Sequence, residues 1–210
     1  MTSTRHGSAW DLAQEAELKF WKSYLGMIPQ DREQFVAGQL QRGQERLSQF
    51  DLDGIEGRLL DVGSSAVSMH EGRENLEVVA VDPLLDAFCE AVPTFARQGQ
   101  VGNTEYRCCE VYDVQDGPFD VIWCVNVLDH TDDWKAMIGE FARLTRRGGL
   151  LLIGVDVRCG VELDSSCHIS AIGPQELVDV IWDAGFVVEF HAPTAITKKQ
   201  FYFCVRATRR

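Results

Sequence analysis

The chain has 210 residues, 45% of them hydrophobic and 25% charged, ordinary values for one globular domain with a real core. Its 20 basic and 32 acidic residues leave a net charge of −12, which argues against a nucleic acid partner. No apolar run approaches the roughly 18 residues of a membrane span, and the first residues hold no apolar signal core, so a cytoplasmic protein is expected.

Two helices lead the chain. In "WDLAQEAELKFWKSYL" the residues Ala13, Glu17, Phe20 and Tyr24 share one side, with Leu18, Trp21 and Leu25 beside them. A second helix is predicted from Asp31 to Gln49. Short apolar runs then alternate with amphipathic stretches. The predicted strands are Arg58–Val62, Glu77–Val81, Glu105–Cys109, Phe119–Val125, Gly149–Val155, Phe186–His191 and Phe201–Arg206. Several are apolar on both faces, as buried parallel strands are. Helices are predicted at Leu84–Arg97, Asp132–Arg146 and Pro174–Ala184. Asp132 or Asp133 suits the cap of the second of these, Gly148 and Gly149 its end. Pro174 opens the third and Gly185 closes it.

This alternation predicts an α/β fold: a doubly wound, mostly parallel, seven-stranded sheet. The last two strands are joined only by "APTAITKKQ", too short for a crossover helix, so they should form a hairpin with one antiparallel strand. Residues 1–54 are expected to form a helical lid or cap, and residues 55–210 the ligand-binding domain.

Ligands of such sheets bind at the carboxyl ends of the strands. The first strand ends in "RLLDVGSSAVSMHEG", a loop with serines where a dinucleotide loop has more glycine. Nineteen residues beyond Gly63, a second strand ends in Asp82. A carboxylate there accepts both hydroxyls of a ribose. A pyrophosphate needs a glycine where Ser65 stands and is repelled by Asp61. S-adenosylmethionine has no phosphate, and its amino group and sulfonium are cationic, so Asp61 attracts it. An NAD-dependent oxidoreductase is disfavoured further, because no complete GxGxxG and no Tyr-Lys pair is visible.

The chain resembles the class I S-adenosylmethionine-dependent methyltransferases over about residues 55–206. "LLDVGSSAV" is similar to their first motif and "VVAVDPLL" to their second. "GPFDVIWCVNVLDHTDDW" is similar to the fourth-strand motif, "LTRRGGLLLIG" to the glycine turn and fifth strand, and "ISAIGPQELVDVIWDAGFVVEF" to the late helix and strand. Ser65 and Val67 replace two of the usual glycines. The resemblance implies a Rossmann-like fold, S-adenosylmethionine as cofactor and S-adenosylhomocysteine as product. It further implies that Asp61, Gly63 and Ser64 line the methionine end, that Asp82 binds the ribose, and that Pro83, Leu84, Glu110 and Val111 surround the adenine. Asn126 would set its backbone near the methionine or substrate. Asp61 also reads as a turn cap, Glu110 as a solvated loop acid and Asn126 as turn chemistry.

Methyl transfer needs alignment and water exclusion, and a base only if the acceptor must lose a proton. His130, His168 and Asp156 are the candidate bases; each also reads as structural, and "SSCHIS" shows no partner for His168. Phe20, Trp21 and Tyr24, with the loop Arg158–Ile172, form the expected lid, or else core. A small or medium metabolite is the expected acceptor, methylated on oxygen or nitrogen. A catalytically weak partner subunit of the same fold is the alternative. Seven cysteines without a CxxC read as free thiols of a reducing compartment. Cys159, Cys167 and His168 match no zinc spacing, so no metal is expected.

Overall fold

The apolar runs resolve into one eight-stranded sheet, described by a computed structural model over residues 7–27, 31–46, 52, 54–93, 95–158, 168–195 and 200–210. The strands are β1 (Gly57–Val62), β2 (Leu76–Val81), β3 (Gly99–Val101), β4 (Thr104–Arg107), β5 (Phe119–Val125), β6 (Thr145–Arg158), β7 (Phe186–Ala195) and β8 (Gln200–Arg209). Their order is β3-β4-β2-β1-β5-β6-β8-β7. Strands β4, β2, β1, β5 and β6 run parallel, while β8 lies antiparallel between β6 and β7, the hairpin that the short connection requires. The doubly wound fold is the expected one. The eighth strand, β3, is a three-residue edge strand antiparallel to β4, too short and too polar to show an apolar pattern.

The helices are α1 (Ser8–Met27), α2 (Arg32–Arg46), α3 (Leu85–Ala91), α4 (Trp134–Leu144) and α5 (Pro174–Asp183). The Asp133 side chain caps α4 by accepting the Ala136 N–H at 3.1 Å, and Pro174 opens α5. α4 ends at Leu144, before the glycine pair, because Thr145 already pairs with Phe119 across the sheet. α3 is shorter than predicted and stops at Ala91.

β1 and β2 each end in four consecutive buried residues, so both faces of the sheet centre are covered. Leu60, Ile122, Ile138, Phe141, Ile153 and Ile181 belong to one core cluster, and Leu59, Trp123, Leu152 and Tyr202 to a second. A third cluster joins Phe35, Val67, Phe88 and Phe95 to Leu18, Trp21 and Tyr24, and ties the two leading helices to the loop after β1 and to α3. No described helix is long and apolar enough to cross a membrane.

Candidate active site

β1 pairs with β2 on one side and β5 on the other, so the winding reverses at β1 and leaves a crevice beyond its carboxyl end. A cavity of about 540 Å³ opens there. Its lining includes all the predicted site residues: Asp61, Gly63, Ser64, Asp82, Pro83, Leu84, Glu110, Val111, Asn126, His130, Asp156 and His168, and from α1 Phe20, Trp21 and Tyr24.

The loop after β1 is held by its own backbone. The Gly63 and Ser64 N–H groups both donate to the Val81 carbonyl, at 2.9 and 3.3 Å. Gly63 has φ +71°, and a Cβ there would stand 2.3 Å from Cγ2 of Val127. The conformation and the close approach together demand glycine. Ser65 also has positive φ, 55°, and its N–H donates to Asp82 Oδ2 at 2.8 Å. The replaced glycines therefore leave the turn intact: Ser65 adopts the left-handed conformation, and Val67 is buried in the third core cluster.

Asp82 is 8% exposed and also accepts the Leu84 N–H on Oδ1, at 2.8 Å. Burial pushes its carboxyl up to about 6, while the Leu84 and Ser65 N–H groups pull it down and the Glu17 charge adds to the rise. Asp61, inside β1, accepts the Ser68 hydroxyl at 2.6 Å. Burial pushes it up to about 7, the Ser68 bond opposes this, and the Asp82 charge reinforces it. Two buried acids held this high in one cavity mark it as a candidate functional site. Asn126 departs in one respect from the expectation that its backbone meets the ligand. It has φ +58°, and its N–H is committed to the Gly154 carbonyl at 2.8 Å.

The far end of the cavity is a row of acids and imidazoles. Glu17 Oε2 lies 3.4 Å from His130 Nδ1, and His130 Nε2 lies 3.9 Å from Asp129 Oδ1. Asp129 Oδ2 lies 3.5 Å from His168 Nε2, and the two imidazole rings stand 4.6 Å apart. The partner of His168 is thus Asp129. Burial pushes Asp129 up, with the His168 charge holding it partly down. The Ile169 and Ser170 N–H groups donate to the Asp129 carbonyl at 2.9 and 3.1 Å and fix the segment that carries His168. The ligand atoms of Asp129, His130 and His168 lie within 4.8 Å of one another, a donor set able to hold a divalent ion. Cys159 and Cys167, weighed with His168 in the sequence, lie outside the described residues.

Asp129, Glu17 and Trp10 are among the lining residues that went unselected in the sequence. Asp129 stands beside His130 in "LDH" and reads as a turn acid. Glu17 reads as part of a helix face, and Trp10 as packing. Phe20 is 56% exposed and stacks on Tyr24, ring centres 6.0 Å apart. Trp21 packs edge-on against Phe88 at 6.4 Å and donates its Nε1–H to Glu17 at 2.8 Å.

Residues 60–153 match the family model described as a methyltransferase domain. That segment is a little under half of the chain, and what it shows is a likeness to methyltransferase domains. The chain is similar to a ubiquinone biosynthesis O-methyltransferase of Xanthomonas oryzae pv. oryzae (strain PXO99A), 32% identical over 111 residues, 50% of this chain and 45% of that one. The chain spans less than half the length of the curated relatives it matches. The methyltransferase fold is also that of the N-methyltransferase NodS from Bradyrhizobium japonicum WM9, solved with S-adenosylhomocysteine, at TM-score 0.60, 13% identity and coverage of 97% and 99% of the two chains. The [4+2]-cyclase SpnF shares it at TM-score 0.60 and 15% identity, covering 81% of this chain and 80% of that one.

Proposed function

We propose that the protein binds S-adenosylmethionine and transfers its methyl group to a small or medium-sized metabolite, on oxygen or nitrogen. The observation that carries this reading is the pair of buried carboxyls at the ends of β1 and β2, Asp61 and Asp82, which face one cavity and are bridged by a loop with no phosphate cradle. In this reading Asp82 accepts the ribose hydroxyls. Pro83, Leu84, Glu110 and Val111 surround the adenine, and Asp61, Gly63, Ser64 and Asn126 border the methionine. The sulfonium supplies the reactivity of the methyl group. The chain's part is to bind, align and exclude water.

His130, His168 and Asp156 stay as candidate bases, and Asp129 joins them because its carboxylate lies beside both imidazoles, 3.9 Å from His130 Nε2 and 3.5 Å from His168 Nε2. Residues 1–54 serve as the cap over residues 55–210, with Phe20, Trp21 and Tyr24 against the acceptor. The net charge of −12 supports a metabolite over a nucleic acid, and the cysteine usage supports the cytoplasm. The likeness to a cyclase of the same fold gives a second reading some support: a protein that holds the cofactor and transfers nothing.

Calorimetry with S-adenosylmethionine, S-adenosylhomocysteine and NAD is the test. The first two should bind and NAD should not. Tighter NAD binding would overturn the reading, and binding of S-adenosylmethionine without turnover by any acceptor would favour the second.

A further inference from the structure

Six carboxyl side chains line the cavity, Glu17, Asp61, Asp82, Glu110, Asp129 and Asp156, and no lysine or arginine does among the described residues. If Asp61 and Asp82 serve the cofactor, as the proposed function holds, Glu17, Asp129 and Asp156 face what remains of the cavity. Asp129 borders this space and is 4% exposed, and its Oδ1 accepts no hydrogen bond among the described residues, with His130 Nε2 3.9 Å away, so a buried carboxyl oxygen on the cavity wall has capacity to spare. On α1, beside Glu17, the aromatic residues Trp10, Phe20, Trp21 and Tyr24 line the same cavity. Carboxylates and aromatic rings are the two kinds of surface that attract an organic cation.

We propose that the methyl acceptor is an amine, taken up as its ammonium ion among the aromatic rings and Glu17 of α1 and the carboxylate of Asp129; this rests on the proposed methyl transfer. S-adenosylmethionine adds one net positive charge, which leaves the acceptor end negative. An anionic acceptor would meet uncompensated like charge. A neutral hydroxyl supplies one donor and cancels none of the field, whereas an ammonium group supplies up to three donors and cancels it.

The chemistry closes on the same residues. The bound ammonium gives one proton to the Asp129 carboxylate and its imidazole neighbours. The freed nitrogen lone pair attacks the methyl carbon. The C–N bond forms as the C–S bond breaks, and the bonding pair stays on sulfur. The products are S-adenosylhomocysteine and a methylated ammonium ion.

The test uses the full chain loaded with S-adenosylhomocysteine and three probes of one shape: phenethylamine, 2-phenylethanol and phenylacetate, measured by calorimetry at neutral pH. The amine should bind at least about tenfold tighter than the alcohol, with the carboxylate weakest. Glu17→Gln and Asp129→Asn should each narrow that ratio, and Asp129→Asn should leave S-adenosylhomocysteine affinity unchanged. Equal or tighter binding of the alcohol or carboxylate, no binding of any probe, or an unaltered ratio in both variants would overturn the proposal. So would an amine preference that appears only when a divalent metal is added. S-adenosylhomocysteine binding, measured first, separates the two levels: its absence defeats the proposed function, and its presence with no amine preference defeats only the acceptor class.

Discussion

Arg32 on α2 donates to Glu71, on the loop after β1, through Nε to Oε1 at 3.0 Å and Nη2 to Oε2 at 2.5 Å, with both side chains mostly buried. Glu71 also accepts the Tyr106 hydroxyl at 2.5 Å. That hydroxyl accepts the Ser68 N–H at 3.0 Å, and Ser68 in turn donates its own hydroxyl to Asp61. α2 is thus connected, bond by bond, to Asp61 in the cavity wall. Arg32→Ala leaves Glu71 with half of its partners. It should cost about 2–3 kcal/mol of stability and weaken S-adenosylhomocysteine binding as Ser68 loses its fixed position. Urea titration and calorimetry check this; an unchanged midpoint would show that the pair is incidental.

Asp82→Asn retains the shape of the side chain but turns one of its oxygens into a donor that faces a backbone N–H of Ser65 or Leu84. Cofactor affinity should fall by about 1.5–3 kcal/mol, the scale of lost charge-assisted hydrogen bonds. The melting temperature should change little, because the variant also removes a buried charge. An unaltered dissociation constant would place the ribose elsewhere.

Stability should fall as pH rises through the weakly acidic range. Asp61 and Asp82 are raised from 3.8 to about 7 and about 6, so the folded state holds protons that the unfolded state has released. Their contribution is complete below the unfolded value and is lost as pH climbs through the folded ones, to a total on the order of a few kcal/mol. Cofactor-free protein should therefore melt higher near pH 5.5 than near pH 8, and Asp61→Asn should flatten most of that slope. A profile that rises over this window would mean that neither acid is neutral in the folded chain.

Gly63→Ala meets two obstacles, a φ of +71° and the Val127 methyl 2.3 Å from the new Cβ. The expected loss is about 2–4 kcal/mol, the sum of left-handed strain and overpacking. Adding Val127→Ala should return the overpacking part and leave the conformational part. Denaturation of the single and double variants measures each, and additive losses would mean that the two residues do not touch.

The Asp61–Asp82 end of the cavity was legible because short-range patterns define it: an acid and a glycine at one strand end, a second acid at the next, each fixed by backbone geometry. The Asp129–His168 end was not. Asp129 stands out only when His168, thirty-nine positions later, lies beside it, and Glu17 only when α1 brings it to His130. Such meetings are tertiary and leave no local periodicity. β3 escaped for the opposite reason, since two of its three residues are exposed and need no apolar pattern.

The aromatic cluster of α1 divides its labour, and two substitutions should separate the parts. Trp21 is half-buried, rests on Phe88 and holds Glu17 through its indole N–H. Trp21→Ala removes packing from the third core cluster as well as that hydrogen bond. Because the ring is only partly enclosed, the loss should be about 2–3 kcal/mol, below the 3–5 kcal/mol of a fully buried aromatic. Phe20 is 56% exposed and borders the cavity. Phe20→Ala should leave the melting temperature unchanged, because little apolar area leaves water on folding at that position. Its effect should fall on the acceptor: a raised KM, with S-adenosylmethionine affinity unaltered, since the ring stacks on Tyr24 and borders the cavity from α1. Melting curves, cofactor calorimetry and acceptor saturation kinetics on the two variants decide the matter. A Phe20→Ala protein that melts early would make the triplet a single structural unit, and one that saturates with acceptor as the parent does would remove Phe20 from the acceptor site.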